Sequence, residues 1–472
     1  MGAHDRLPGH AALSQRPAAG LAPAGGLAPA FGLVIVGLGA SLAPLDIAVN
    51  VALPAITAHF RLQLADVQWL VICYVLVYGS LMLVCGKLGD LLGYRRIFRI
   101  GLAVSVVGCA ACALAPDWPL FLWARAGQGV GTALAISCAP ALAMAVHPPE
   151  QRLKALAGFS MALLLASAIG PLLGGVVVQL WGWPAVYWMR VPIAAVTLAL
   201  SGLLPSPRLP PRSFDAPGAV LLAACMSSLL LALVLSQRAA VPGWQALALA
   251  CVAAVLVFAY LRRSRRVAEP IIRPALFADA AFAVPNVINV LANLAGFSIL
   301  LLTPYYLVNV LKLPVLASGA MLALSFAGGL TGAPLAAWLV PRFGRRPTAF
   351  AGVALVGVWL LPLAFVDAAT PLWVVAALLV AEGVGQGLLA VAYIDLVTDT
   401  LPARDRGVAG SLAQLTRTLG IVSGASVLTA LHAHAASGGF LAGYKFAFLA
   451  AGGGLLAALA VSCLWPRAWF AR

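Results

Sequence analysis

Residues 86–96 read GKLGDLLGYRR. The chain is 63% hydrophobic and 9% charged, yet here Lys87, Asp90, Tyr94, Arg95 and Arg96 crowd into one glycine-rich connector. Soluble domains are about half apolar and a quarter charged, so this composition lies outside that class. Apolar runs of about 20 residues, enough to cross a bilayer as a helix, flank the connector and recur along the chain. Backbone in lipid must satisfy its own hydrogen bonds, so many long apolar runs imply a helical bundle. A β-barrel would show short alternating segments instead. The 46 Gly and 32 Pro suit helices that pack closely and bend. The connector therefore reads as a turn between two membrane-spanning helices.

Outward from this turn, the hydropathy pattern predicts fourteen spans: 31–54, 67–86, 97–115, 118–143, 155–179, 187–204, 216–236, 243–261, 281–309, 316–339, 347–366, 371–394, 407–432 and 440–464. With the N-terminus inside, 22 of the 29 Lys and Arg fall in inside segments. The outside loops hold only Arg61, Arg238, Lys312 and Lys445, and Arg125, Arg190 and Arg417 sit within or at the ends of spans. That bias orients a multi-pass protein with both termini cytoplasmic, in the plasma (inner) membrane. It also accounts for most of the +15 charge without a nucleic-acid partner. Residues 1–28 lack a cleavable-signal pattern and read as a disordered cytoplasmic tail. All eight Cys lie in apolar stretches, and the CxxC of Cys109 and Cys112 reads as packing, with no disulfide framework.

The connector has an echo. Gly93-Tyr94-Arg95-Arg96 returns as Phe343-Gly344-Arg345-Arg346, the glycines 251 apart. Gln128-Gly129 returns as Gln386-Gly387, 258 on, and Arg152 as Arg406, 254 on. Such offsets predict two parallel six-helix bundles, 29–205 and 279–466. Two extra central helices and a basic linker lie between them (206–278), and a cytoplasmic end follows (467–472). Parallel repeats about an axis along the membrane normal are a transporter architecture.

Five motifs in order then resemble the major facilitator superfamily, and within it the fourteen-helix drug:proton antiporter group: LDIAVNVALP (45–54), GKLGDLLGYRR, RAGQGVGTA (125–133), GPLLGG (170–175) and FDAPGAVLL (214–222). The resemblance covers about residues 31 to 464. It implies a major facilitator fold, an all-α membrane protein whose bundles rock around a central cavity. It also implies that Arg125 serves proton coupling. Gly170, Pro171, Gly174 and Gly175 would form a pliable fifth span at the interface of the two halves, typical of exporters. WPAVYWMRVP (183–192) departs from the group, with Pro184 and Arg190 where Trp-Arg and Asn are usual.

Asp46, in the middle of the first span, costs about 2.5–3.5 kcal/mol on insertion scales, so it needs a cavity or a partner. It is read as a proton or cation site, against a purely structural bond to a neighbouring helix. Arg125 cannot realistically lose its charge, so it acts on a nearby acid instead of carrying the proton. Glu382, the second buried acid, reads equally as a proton site or as packing. Arg190 is expected to snorkel. Asp90, with Gly86, Gly93, Arg95 and Arg96, is expected to latch one transport state by meeting an Arg or a helix N-terminus across the bundle interface. In the second half Pro341 takes the place of the acid. Tyr305, Tyr306, Gln414 and Arg417 are candidate cavity residues. Asp395 and Asp399 read as interfacial, and His432 and His434, which do not share a helix face, as a solvated rim.

The expected function is proton-coupled export of amphiphilic or lipophilic small molecules such as drugs or antibiotics. The alternatives are a proton-coupled metabolite importer on the same fold and a non-transporting membrane sensor. No P-loop is present, no cofactor or metal is expected, and no catalytic cluster favours an enzyme. The expected partners are the substrate, protons and membrane lipid, with the protein monomeric.

Overall fold

A computed structural model describes residues 29–62, 69–206, 214–236, 241–267, 269–401 and 405–470. The 1–28 tail and the outside-loop residue Arg238 lie outside them. The first span is broken: α1 (Pro29–Ser41) and α2 (Ala48–His59) flank a 3-10 turn at Pro44–Ile47. Then come α3 (Trp69–Leu92), α4 (Tyr94–Ala113), α5 (Trp118–Ala145) and α6 (Arg152–Trp181). The sixth span is a short α7 (Ala185–Trp188) running into α8 (Arg190–Leu200). The inserted pair is α9 (Ala216–Leu235) and α10 (Gly243–Ser264). The second bundle holds α11 (Ala280–Tyr305), α12 (Val315–Phe343), α13 (Arg345–Leu363), α14 (Leu372–Thr400), α15 (Arg406–Ala435) and α16 (Phe440–Ser462).

Thirteen of these spans are long and apolar enough to cross a membrane on length and composition. The fourteenth, α15, carries Gln414, Thr416, Arg417 and Thr418 along its middle. It packs between α11 and α3, so its polar residues face protein and not lipid. Lipid-facing surface is plain elsewhere: Trp244, Leu247, Val255 and Phe258 of α10 are all exposed, as expected where acyl chains replace water. Asp215 caps α9 by accepting from Gly218 N and pairs with Arg263 of α10 at 2.7 Å, which ties the inserted helices together.

The repeat read from the sequence is physical. Gly93 and Gly344 stop α3 and α12 with φ of 95° and 90°, a region that costs glycine nothing, and the chain turns at once into α4 and α13. The next-but-one residue in each half is an arginine with the same task. Arg95 donates to the carbonyls of Gly202 and Leu204, just after α8. Arg346 donates to those of Arg467 and Ala468, just after α16, and to Ala281. Each clamps the end of its own bundle's last helix.

The two bundles meet at the end that carries the basic connectors. There α3 packs on α15, and the first half of α6 packs on the last half of α12, where Ala157 buries against Ala333 and Ala336.

Candidate functional site

Three clusters gather the polar residues of the bundle interior. The first hangs on the break in the first span. Pro44 opens the 3-10 turn that presents Asp46. Its carboxylate takes both ends of the Arg125 guanidinium, from Nη1 at 2.8 Å and Nη2 at 2.9 Å. Arg190 Nη1 donates to the same carboxylate at 2.6 Å. Arg125 also donates to the Leu70 carbonyl and to Gln128 Oε1, and its guanidinium lies 4.5 Å from the Tyr74 ring centroid. Four spans of the first bundle are thereby tied at one point. Both arginines are fully buried. Arg190 therefore does not snorkel: it turns inward because a buried carboxylate is a better partner than the interface. One acid faces two cations, and Arg190 Nη2 is left without a hydrogen-bond partner.

The second cluster is the connector itself. Asp90 accepts from Gly407 N at 2.8 Å, Val408 N at 3.1 Å and Tyr94 Oη at 2.7 Å. Gly407 and Val408 open α15, whose first N–H groups have no partner within the helix. An acid from one bundle thus caps a helix of the other. Gly86 makes the approach feasible, because a Cβ there would collide with Ser411 Oγ and the Gly407 carbonyl. Lys87 pairs with Asp405 at 3.2 Å across the same seam. Farther along, Tyr78 Oη and Thr418 Oγ1 share a hydrogen bond of 2.6 Å. Arg95 and Arg96 are not part of this contact: Arg95 is committed to its own bundle, and Arg96 is exposed. Gly93 contributes the turn alone. In the second half Arg345, one residue past Gly344, pairs with Asp395 and Asp399 of its own bundle.

The third cluster lines a cavity of about 130 Å³ in the second bundle, closed on one side by Ser160, Leu163 and Leu164 of α6. Glu382 and Gln386 of α14, Asn289 and Asn293 of α11, and Gln414 and Arg417 of α15 supply its polar wall. Glu382 lies ten residues inside α14, deep in the membrane layer. Its Oε2 accepts from Ser325 of α12 at 3.1 Å, while Oε1 is buried without a hydrogen-bond partner. Gly383 sets this geometry: any Cβ would collide with the Ser325 carbonyl, so α12 and α14 touch there. Gln386, read from the sequence as the repeat mate of Gln128, shares the wall with Glu382. Asn289 donates to Thr416, and Tyr393 donates to Asn286, so neighbouring polar groups are mutually held. Ligand pockets run about 300–1,000 Å³, so the cavity is contracted here.

Gln414 and Arg417 lie on the cavity wall, whereas Tyr305 and Tyr306 do not. Tyr305 is 55% exposed on the outer surface. Tyr306 is buried in a π-helical turn, where its hydroxyl donates to the Asp367 carbonyl and its ring lies 5.4 Å from Tyr444. The fifth-span motif is also placed differently. Gly170 and Gly174 pack on Pro44, Leu45 and Ala48 of the first span, within one bundle, and a Cβ on Gly175 would meet nothing. Pro171 is only half-buried. The inter-bundle contacts of α6 come from residues nearer its start. His432 and His434 lie near the end of α15, His432 half-buried and His434 exposed, each beside a ring of α16, Phe440 and Phe446 respectively. The sequence reading missed Asn289 and Asn293, single amides in an apolar span whose spacing of four puts them on one face.

A sequence model described as "Major Facilitator Superfamily" matches residues 29–425 and, overlapping, 286–468. The chain is 31% identical over 438 residues to a tetracenomycin C resistance and export protein of Streptomyces glaucescens, which covers 91% of this chain and 79% of that protein. It is 26% identical over 405 residues to a riboflavin transporter of Clostridioides difficile, covering 85% and 88%. Among solved structures, the human organic anion transporter MFSD10 (TETRAN) superposes with a TM-score of 0.65 at 14% identity, covering 93% of this chain and all of that one.

Proposed function

Because this chain belongs to the Major Facilitator Superfamily, we propose that it is a proton-coupled exporter of amphiphilic or lipophilic small molecules such as drugs or antibiotics. The observation that carries this reading is the pairing of a closed seam with a polar cavity. Asp90 seals the basic end of the bundle interface, and Glu382 waits in a cavity behind it. The resistance and export role of the Streptomyces relative supports the direction.

In this reading the basic end is cytoplasmic, both termini lie inside, and the described state is closed to the cytoplasm. A proton from outside reaches Glu382, whose carboxyl meets only the neutral groups of Gln386 and Ser325 and no cation. The substrate leaves outward as the proton arrives. The bundles then rock, the Asp90 cap on α15 breaks, and the cavity opens inward to reload. Inward proton flow gains about 2.3 kcal/mol per charge per 100 mV. Asp46 has a different part. Both its oxygens are held by guanidinium groups, so a proton there must first displace Arg125 or Arg190. The triad stiffens the outer part of the first bundle and couples it to protons only when that displacement occurs.

Everted membrane vesicles test the proposal. An imposed acid-inside gradient should drive substrate accumulation in everted vesicles containing the protein and none in vesicles carrying Glu382→Gln. Accumulation driven instead into right-side-out vesicles by an acid-outside gradient would establish the importer reading in its place.

A further inference from the structure

Three arginines lie inside the spans. Arg125 and Arg190 share Asp46. Arg417 lines the cavity and has neither an ion-pair nor a hydrogen-bond partner among the described residues. Glu382, the one acid on the same wall, forms no ion pair with it, and its Oε1 is unpartnered. The cavity thus holds one positive and one negative group, on α15 and α14, that do not neutralise each other. Away from water, an unpaired guanidinium and an unpartnered carboxylate oxygen each cost free energy until something supplies the complement. Nearby polar groups bring no opposite charge. Gln386 and Ser325 offer Glu382 only neutral donors, and Asn289 is engaged with Thr416.

We propose that the cavity selects amphoteric substrates. An ionised acidic group of the substrate docks on Arg417, a protonated amine docks on Glu382, and the apolar body lies along Leu163, Leu164, Phe297 and Leu300. A lipophilic cation without an acid meets Arg417 as a like charge. An anion without an amine meets Glu382 in the same way. Only a molecule bearing both ends satisfies both walls. The arrangement also gives proton exchange a physical means: a proton on Glu382 cancels the charge that held the amine, and the substrate's hold falls to the Arg417 end alone. This inference rests on the exporter reading of the cavity but is tested separately from it.

The test measures binding to the full-length protein in lipid nanodiscs, using three forms of one scaffold: the zwitterionic quinolone ciprofloxacin, its cationic ethyl ester and its anionic N-acetyl derivative. Each lost charge-assisted contact should weaken binding about ten- to hundredfold. Arg417→Gln should erase the preference for the zwitterion over the ester and leave its preference over the N-acetyl form. Glu382→Gln should do the converse. This crossed pattern is not produced by general misfolding, which lowers all three affinities together. Equal binding of all three forms, failure of the wild-type protein to bind the zwitterion, or an uncrossed loss in the variants overturns the proposal. A protein that prefers the zwitterion in nanodiscs but exports nothing from vesicles would instead refute the exporter reading alone.

Discussion

Replacing Asp90 with Asn changes one atom of the seam and should change the balance between transport states. The carboxylate receives Gly407 N and Val408 N on separate oxygens, and Tyr94 Oη shares the first. Asn keeps one acceptor and turns the other into a donor, which then faces a backbone N–H. One charge-assisted hydrogen bond is lost, about 1.5–3 kcal/mol. The interaction of a full charge with the α15 N-terminus goes with it, about 0.3–1 kcal/mol. The total, about 2–4 kcal/mol, favours opening of the basic end by about 30- to 700-fold at 1.4 kcal/mol per decade. Spin labels at Leu92 and Phe343, both exposed near that end, report the change directly. In Asp90→Asn the distance distribution should move to the longer, open population, and transport should fall while the protein still reaches the membrane. Tyr94→Phe removes one charge-assisted hydrogen bond to the same carboxylate, but from within its own bundle, and should shift the same distribution less than Asp90→Asn does. An unchanged distribution in Asp90→Asn, together with full transport, would refute the idea that Asp90 holds the seam.

Gly86→Ala forces a methyl against Ser411 and Gly407, so it should also open the seam, visible as the same longer label distance; a closed seam would show that the helices slide apart cheaply. Arg125→Ala removes two hydrogen bonds to Asp46 and leaves a poorly paired buried acid, a loss of about 3–5 kcal/mol. Arg190→Ala leaves Asp46 both bonds from Arg125 and should cost less, so thermal unfolding in detergent should rank Arg125→Ala well below Arg190→Ala; the reverse order would make Arg190 the main anchor. Glu382→Gln should abolish proton release when substrate is added to the protein in weak buffer; release at the wild-type level would move the coupling acid elsewhere.

The spans, the repeat and the connector were legible because each rests on local chemistry. Twenty apolar residues need no partner to be recognised, and an acid in a basic connector asks for a positive helix end. What stayed hidden depended on distant partners. Arg190 sits at the end of an apolar run, where snorkelling is the usual outcome, and the acid that turns it inward is 144 residues earlier. The spacing of Gly170 and Gly174 announces a close helix without saying which one, and it proves to be the first span of the same bundle. Tyr305 and Tyr306 adjoin a π-helical turn, which shifts the face on which each ring emerges. For α15 the polar residues that mark it as cavity wall are the same ones that weaken its signature as a span.

Arg95 and Arg346 do equivalent work, each pinning the tail of its bundle's last helix, whereas Asp90 has no counterpart. Duplicated halves that keep the same internal fastener but only one catch have divided their labour. Rigidity is common property, and the decision to open belongs to one side. Substitutions at Arg95 or Arg346 should therefore soften a bundle without changing which way it faces. A fault at Asp90 leaves both bundles sound and the gate undecided.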